Sequence, residues 1–451
     1  MAKAVGAAQT SARRVVRIRA IRVSGYKSLI KPTTIELAPL TILAGPNSSG
    51  KSSAIQPILL LKQTLEAPYD PGPLLLYGPN VRFTSADQFL SRLGGRSSAR
   101  EVRIEFETAM RSRIALVFIQ HPQRGLDLDH VMYQPRQGTS ESRIHLKMTQ
   151  DEIANVVPKE LRDILSESAK VPRSRLTWKV MRDRCFLPFG AFLGEEPESM
   201  VRLGGTSYYG EIEHFLNHLI HVPPIRGNPE RTYRVTAVGD RYPGTFEPYV
   251  ASIINRWKST SSPRLRELGS ALERLGLTWK VEPRQKDATQ VELRVGRLPH
   301  GMRGGAHDMV NIADVGFGIS QVIPVIVALL AAKPGQAIYI EEPEIHLHPL
   351  AQSRMADLVF DAVRGGVRVI LETHSTLLLR RVQTVVARGE ISPQDVRLYW
   401  FTRSEAGETL VSRAQLAEDG SFGEWPADFD EVALGVEGDY LDAVARRRLG
   451  A

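Results

Sequence analysis

One segment of the chain combines glycines, a lysine and hydroxyl side chains in a spacing that suits a phosphate group. Residues 45–52 fit the pattern G-x-x-x-x-G-K-[ST]. Glycines let several backbone N–H groups point into one concavity at the start of a helix, where the helix dipole favours anions. Lys51 can then reach the β- and γ-phosphates of a nucleotide, and the Ser52 hydroxyl can ligate Mg²⁺. The motif predicts a nucleoside triphosphate site formed by Gly45, Pro46, Asn47, Ser48, Ser49, Gly50, Lys51, Ser52 and Ser53.

The residues around this motif favour the same interpretation over an ordinary Gly/Ser loop. Residues 41–44 form a short apolar run typical of a central parallel strand. Residues 54–65 are compatible with a helix, because their apolar side chains recur near a period of 3.6. Strand, loop and helix therefore follow one another in the order that a phosphate-binding loop requires.

A pair of acids follows a second apolar strand far downstream. Residues 337–340 lead directly into Glu341 and Glu342. One acid of such a pair can hold Mg²⁺ and the next can act as a general base toward the attacking water. Two exposed acids at a strand end are the alternative. The first acid of this motif is usually aspartate, so Glu341 is a longer side chain than expected.

Other candidate residues leave alternatives open. Residues 314–321 place small residues and a serine before an apolar helix, which suits a phosphate but also an ordinary N-cap. His374 follows a buried strand, where it can contact a γ-phosphate or be structural. Arg226 and Arg231 can meet a phosphate or a partner, or lie in a solvated loop. The spacing of the nearby histidine pair at 346 and 348 does not predict zinc, because further His or Cys ligands are missing.

Composition limits the class of protein. The 451 residues carry a net charge of +8, which is compatible with nucleic acid binding and equally with a solvated basic surface. The one cysteine, Cys185, excludes a disulfide framework and a cysteine zinc site, and fits a reducing cytoplasm. No apolar run approaches the ~20 residues of a membrane helix. We therefore expect a cytoplasmic protein without a membrane partner.

The four motifs GPNSSGKSS, DVGFGISQ, IYIEEPEIHLHP and ILETHS, in this order, resemble the SMC/RecF-like ABC ATPases. They are most similar to the ATPase part of the OLD nucleases and to stand-alone ATPases of anti-phage operons such as PARIS and Septu, as are residues 223–233 and 419–431. The resemblance implies an α/β fold: an ABC-ATPase-like head with an N-terminal antiparallel β lobe, a parallel-sheet P-loop core and a helical insertion. The predicted segments are a disordered leader at 1–12, the first part of the head at 13–149, a helical or mixed insertion at 150–300, the second part of the head at 301–413 and a tail at 414–451.

The resemblance also implies a composite site in which two heads pack head to tail and sandwich two ATP molecules. Gly318 and Ser320 of one subunit would cover the γ-phosphate held by the other, although GFGISQ departs from the LSGGQ signature of transporters. Glu342 would activate water and His374 would act as a switch histidine. The Mg²⁺ ion would be held or sensed by Ser52, Glu341 and Gln88. The alternative for Gln88 is that it is an ordinary surface glutamine.

Three functions remain open at this point. The stand-alone pattern predicts an ATPase that acts as a sensor or scaffold in anti-phage defence, with a separately encoded nuclease or toxin as effector. We expect no built-in nuclease, because no apolar strand precedes Asp428 and Asp430. The alternative is a DNA-repair or chromosome-maintenance ATPase that binds double-stranded DNA. The third possibility is a binding module in which ATP is only a structural ligand. The presence of Glu342, a candidate general base, disfavours it.

Overall fold

The computed structural model describes residues 18–93, 97–121, 125–168, 176–194, 201–298 and 308–423. The predicted leader at 1–12 and the acids Asp428 and Asp430 lie outside these residues. The strands are β1 (Ile18–Ser24), β2 (Thr33–Glu36), β3 (Leu40–Ala44), β4 (Arg92–Leu93), β5 (Ser97–Ser98), β6 (Glu101–Thr108), β7 (Arg113–His121), β8 (Gly125–Gln134), β9 (Ser142–Ile144), β10 (Leu176–Val180), β11 (Phe189–Leu193), β12 (Val201–Thr206), β13 (Ile220–Val222), β14 (Tyr233–Arg234), β15 (Val281–Gln285), β16 (Gln290–Gly296), β17 (Met309–Asn311), β18 (Ala337–Glu341), β19 (Arg368–Thr373), β20 (Val396–Arg403) and β21 (Thr409–Arg413). The helices are α1 (Lys51–Glu66), α2 (Gln150–Val156), α3 (Lys159–Ser168), α4 (Gly210–His218), α5 (Glu247–Ser259), α6 (Arg264–Arg274), α7 (Phe317–Ala331), α8 (Pro349–Arg364) and α9 (Thr376–Ala387).

The central sheet is built from distant parts of the chain in the order β13-β18-β19-β3-β20-β21. Its first five strands are parallel, and β21 pairs antiparallel with β20. Every residue of β3 and of β18 is buried, as expected for strands that are covered on both faces of a parallel sheet. The predicted parallel-sheet P-loop core is therefore confirmed.

Alternate residues of the central strands belong to two separate apolar cores. Leu43 and Tyr339 pack on the face that carries α1, whereas Ile42 and Ile340 pack on the face that carries α7, α8 and α9. This alternation follows from the strand period of two. The sheet thus lies between helices that pack on both of its faces. Among the described helices, none is long and apolar enough to cross a bilayer.

The N-terminal lobe is an antiparallel sheet in the order β2-β1-β6-β7-β8-β9, which confirms the predicted lobe. The arginines of β1 lie inside this sheet, because β1 is flanked by β2 and β6 and β2 forms the edge. Arg22 pairs with Glu105 at 3.1 Å, and Arg19 pairs with Glu107 at 3.6 Å. These charges are therefore balanced across strands rather than presented as a free basic face.

The insertion differs from the prediction in its middle part. Helices α2 and α3 come before this part and α4 comes after it, as expected of a helical insertion. Between them, β10, β11 and β12 form a three-stranded antiparallel sheet. The physical reason lies in β10, where Leu176, Trp178 and Val180 alternate as buried residues. Such a short period-two pattern is easily overlooked beside neighbouring helical signals.

A buried ion pair ties α1 to the loop before α5. The Lys62 side chain is fully buried, and its ammonium donates to the Glu66 carboxylate and, at 3.1 Å, to the carbonyl oxygen of Tyr242. Glu66 also accepts the backbone N–H of Gly244 at 3.0 Å. Burial lowers the pKa of Lys62 and raises that of Glu66, whereas their mutual attraction opposes both shifts. Each charge is therefore stabilised mainly by the other.

We predict that Glu66→Ala destabilises the protein by about 3–5 kcal/mol, because it leaves the Lys62 charge buried without its partner. Denaturant unfolding measures the loss. The matched control is Glu267→Ala, which removes an exposed partner of Arg264 on α6 and should change stability by less than about 1 kcal/mol. Equal, small effects of both substitutions would contradict the assigned role of the buried pair.

Candidate active site

The loop between β3 and α1 has the backbone that a phosphate-binding loop needs. Gly45 has φ +150° and Gly50 has φ +104°. A Cβ at Gly45 would lie 2.3 Å from the Phe401 carbonyl oxygen, and one at Gly50 would lie 2.2 Å from the Thr409 hydroxyl oxygen. That hydroxyl donates to the Ser49 carbonyl at 2.8 Å, so the strand start of β21 supports the loop from behind. Glycine is therefore required at both positions by steric contact.

The polar groups inside this loop are poised for an anion. The Lys51 side chain is buried, and its ammonium donates to the carbonyl oxygens of Gly45 and Pro46, both at 3.0 Å. The Ser49 hydroxyl oxygen is buried and has no hydrogen-bond partner among the described residues. Helix α1 begins at Lys51 with no acid in its first turn, so its positive dipole end is not neutralised. A phosphate group fits this donor set.

Parallel pairing brings the acids to the same edge as the loop. Glu341 at the end of β18 lies opposite Glu372 of β19, and Glu372 lies opposite Leu43 of β3. The phosphate-binding loop starts two residues after Leu43. The structure therefore brings together segments that are some 300 positions apart in the chain.

Glu372 is a site residue that the sequence analysis did not identify. Its carboxylate accepts the Ser52 hydroxyl at 2.8 Å and the Tyr339 hydroxyl at 2.7 Å. Burial, followed by the nearby charge of Glu341, raises the pKa of Glu372 to about 7. One feature of the sequence could have identified Glu372. It stands directly before Thr373 and His374 at the carboxyl end of a strand, and this position aligns it with Glu341.

Glu341, the residue predicted to serve Mg²⁺, contacts a buried histidine instead of Ser52. Its carboxylate oxygen lies 2.8 Å from His221 Nε2, and His221 Nδ1 lies 2.9 Å from the Asn80 amide oxygen. The His221 ring also stacks on Tyr339 at a centroid distance of 5.5 Å. The acid that contacts the Ser52 hydroxyl in the structure is Glu372. No local motif around His221 would have identified it as a site residue.

Glu342 and His374, the predicted catalytic pair, are brought together. His374 Nδ1 lies 3.4 Å from the Glu342 carboxylate, and the His374 backbone N–H donates to the buried Glu344 carboxylate at 3.0 Å. The hydrogen bond with His374 lowers the pKa of Glu342, and the same bond raises the pKa of His374. Glu342 is therefore favoured as a carboxylate, the form that can accept a proton from water.

The remaining predicted residues make contacts of their own. The exposed Gln88 amide bonds to the backbone N–H and hydroxyl of Thr84, at 2.8 and 2.7 Å, and has no hydrogen bond to Ser52 or Glu341. The Ser320 hydroxyl is buried and donates to the Phe317 carbonyl within α7 at 2.9 Å, whereas Gly318 is half-buried. The side chains of Gln88 and Ser320 thus make contacts within the chain, and their roles toward Mg²⁺ and the partner's ATP stay predictions.

The two arginines whose role was open have different environments. Arg226 is buried and donates to the backbone carbonyl oxygens of Glu341 at 2.7 Å, Glu342 at 3.1 Å and Gln321 at 3.1 Å. It therefore joins the turn that carries the acids to the start of α7. Arg231 is exposed and pairs with Asp314 at 2.7 Å.

The histidine pair has a structural role at one member. His348 caps α8, where its side chain accepts the Leu350 N–H. Within the described residues, no group of three or more His, Cys, Asp or Glu side chains could hold a metal ion by itself.

A protein-family model matches residues 259–380, which include α6, α7, Glu341, Glu342 and His374. Its description reads "AAA domain, putative AbiEii toxin, Type IV TA system". The match and the phosphate-binding loop support a P-loop ATPase of the ABC or AAA type. The matched residues begin after the phosphate-binding loop, so the loop is evidence that is independent of the family match. No curated protein shows significant sequence similarity to the chain.

Several solved structures are distantly similar. An SmcHead bound to the C-winged helix domain of ScpA has 14% identity, covers 89% of this chain and 98% of its own, and has a TM-score of 0.46. The SMC head domain from Thermotoga maritima has 13% identity, coverage of 88% and 98%, and a TM-score of 0.38. The Smc head domain with an extended coiled coil derived from Pyrococcus furiosus has 11% identity, coverage of 89% and 97%, and a TM-score of 0.42. At these scores the likeness carries no functional conclusion.

We predict that Gly50→Ala weakens binding of a fluorescent ATP analogue by about tenfold or more, because the added methyl group meets the Thr409 hydroxyl and displaces the loop. The matched control is Gly72→Ala, since Gly72 also has a positive φ of +88° but open space around it. Circular dichroism verifies that both variants fold. Unchanged binding by Gly50→Ala would show that the loop is not the nucleotide site.

Proposed function

We propose that the protein binds ATP with Mg²⁺ and hydrolyses it slowly, as a sensor or scaffold in anti-phage defence with a separately encoded nuclease or toxin. The observation that carries the hydrolytic part is the pair of Glu342 and His374 beside the P-loop. The defence role is supported by the motif resemblance and by the family description, which names a toxin of a toxin–antitoxin system.

The residues of the site fit the proposed ligands. Oxygen atoms of hydroxyl groups, carboxylates and water are the ligands that Mg²⁺ prefers, and the Ser52 hydroxyl lies at the same edge of the sheet as the carboxylates of Glu341 and Glu372. The unpartnered Ser49 hydroxyl and the Lys51 ammonium suit phosphate oxygens. When bound, Mg²⁺ would neutralise charge that develops on the phosphates.

Four residues of the chain would each have a separate role in hydrolysis. Lys51 would leave the carbonyl oxygens of Gly45 and Pro46 for the phosphates. Glu342 would accept a proton from the attacking water. His374 would hold the Glu342 carboxylate in place and face the γ-phosphate. Glu344 keeps the backbone of His374 fixed through the hydrogen bond at 3.0 Å.

A second copy of the chain is the proposed partner at this edge of the sheet. Large apolar side chains are exposed beside the site: Ile225 is 82% exposed, and Phe317 and Leu350 are each 55% exposed. Ile225 precedes the buried Arg226, and the Phe317 ring lies 6.4 Å from the His346 ring. A head-to-tail dimer would cover these side chains and bring Gly318 and Ser320 to the ATP of the partner, provided that the Ser320 hydroxyl turns outward.

A DNA-repair or chromosome-maintenance role is the second candidate, which the net charge of +8 favours. The arginines of β1 give it little support, because Arg19 and Arg22 are paired with glutamates. The defence role therefore stays the main proposal.

We predict that Glu342→Gln reduces ATP turnover by about 10²-fold or more and retains nucleotide binding, because it removes only the proton acceptor. Phosphate release by the full chain, with and without duplex DNA, measures this, and Glu267→Gln on the exposed face of α6 is the control. Unchanged turnover in the presence of DNA supports the sensor. Strong stimulation by DNA would support the repair ATPase, and an inactive parent would refute the hydrolytic assignment.

We further predict that the Glu342→Gln protein forms a dimer when ATP and Mg²⁺ are added, and that an added Phe317→Asp substitution prevents it by burying a charge in the interface. Light scattering coupled to size exclusion measures the mass. The control is Met110→Asp, because Met110 is also 55% exposed but lies far from the site. Its neighbour Ala109 lines a cavity with Gly335 and Arg368, which lie at the opposite end of the central strands. Equal dimerisation of both variants would contradict the proposed interface.

A further inference from the structure

We propose that Glu372 is the residue that orients the Ser52 hydroxyl toward Mg²⁺, whereas the sequence pattern points to Glu341 as the acid that serves the metal. The inference rests on the proposed function, since it concerns the metal that accompanies ATP. It makes Glu372 a positioning residue, because it acts on the metal through Ser52.

The chemistry of a serine ligand requires such a partner. A hydroxyl group has one proton to donate and two lone pairs to offer. When its oxygen binds a cation, the proton must point to another acceptor. The Glu372 carboxylate, 2.8 Å from the Ser52 oxygen, is that acceptor in the structure. The hydrogen bond fixes the rotation of the hydroxyl and leaves its lone pairs for the metal.

The Glu372 carboxylate is itself held in one orientation. Its second oxygen accepts the hydroxyl of the fully buried Tyr339 at 2.7 Å. Its backbone lies between two parallel strands, opposite Glu341 on one side and Leu43 on the other. Partners of this kind fix the orientation of metal ligands in proteins, and their loss typically costs 10- to 100-fold in affinity.

Glu341 is less suited to the same task. Neighbouring strands lie about 4.8 Å apart, so β18 lies roughly 10 Å from β3 while β19 is adjacent to it. The Glu341 side chain is engaged with His221 at 2.8 Å, and its carbonyl oxygen is held by Arg226 at 2.7 Å. His221 belongs to β13, the neighbour of β18 on the side opposite to β19 and β3. Glu341 would then act on the metal only through water or through its charge.

The test compares the affinity for a fluorescent ATP analogue with and without Mg²⁺, using the full-length chain. We expect Glu372→Ala to reduce the Mg²⁺-dependent gain in affinity by about tenfold or more and to leave the Mg²⁺-free affinity unchanged. Glu372→Gln keeps an acceptor oxygen for Ser52 and should restore part of the gain. Glu267→Ala, on the exposed face of α6, is the matched control and should keep the whole gain. Glu341→Ala tests the rival assignment and should lose less of the gain than Glu372→Ala.

A double-mutant cycle separates this role from a general effect on folding. If Glu372 acts through Ser52, then Ser52→Ala combined with Glu372→Ala should lose no more of the Mg²⁺ gain than Ser52→Ala alone. Additive losses, or a loss confined to Glu341→Ala, would overturn the assignment of Glu372 while the parent still binds Mg²⁺ and ATP. A parent protein that binds no nucleotide would instead overturn the proposed function and this inference with it.

Discussion

Parallel pairing of β3, β19 and β18 is the constraint on which the site depends. Parallel strands in register present their carboxyl ends at one edge of a sheet, so the P-loop, Glu372 and Glu341 meet there without any contact along the chain. The two apolar cores on either face hold these strands in place. A change in register by one residue would turn the side chains of Glu341 and Glu372 to the opposite face. The packing of the two cores and the geometry of the site therefore depend on the same strand register.

The same edge concentrates buried acids, and each has partners that make its burial tolerable. Glu372 accepts two hydroxyl groups, and Glu344 accepts a hydroxyl and the His374 N–H. Glu341 contacts His221. An unpaired buried charge would be costly in such a place. The network explains why neighbouring carboxylates can differ in role: Glu372 is tied to the loop, Glu341 to the core, and Glu342 to the half-exposed His374.

A local pattern in the sequence was sufficient for the P-loop, because its residues are close together in the chain. The parallel core and the antiparallel lobe join distant strands, and they were predicted from the family resemblance of the four motifs. The same resemblance implied roles for Glu342 and His374, and the structure places their side chains 3.4 Å apart. The role of Glu372 could not be predicted, since its partners Ser52 and Tyr339 are joined to it only by sheet order. The burial of Arg226 against the acid-bearing turn depends on long-range packing in the same way. The β10–β12 sheet was missed because short alternating strands resemble irregular helix segments at the level of composition.

A crystal structure of the protein with Mg²⁺ and a non-hydrolysable ATP analogue would test the central claim most directly. The account predicts that the β- and γ-phosphates lie in the loop of residues 45–52, with the Lys51 ammonium moved from the Gly45 and Pro46 carbonyl oxygens onto phosphate oxygens. It also predicts that the Ser52 oxygen binds the metal while its hydroxyl stays hydrogen-bonded to Glu372. A nucleotide bound elsewhere, or Lys51 still on its own backbone with the loop empty, would contradict the account.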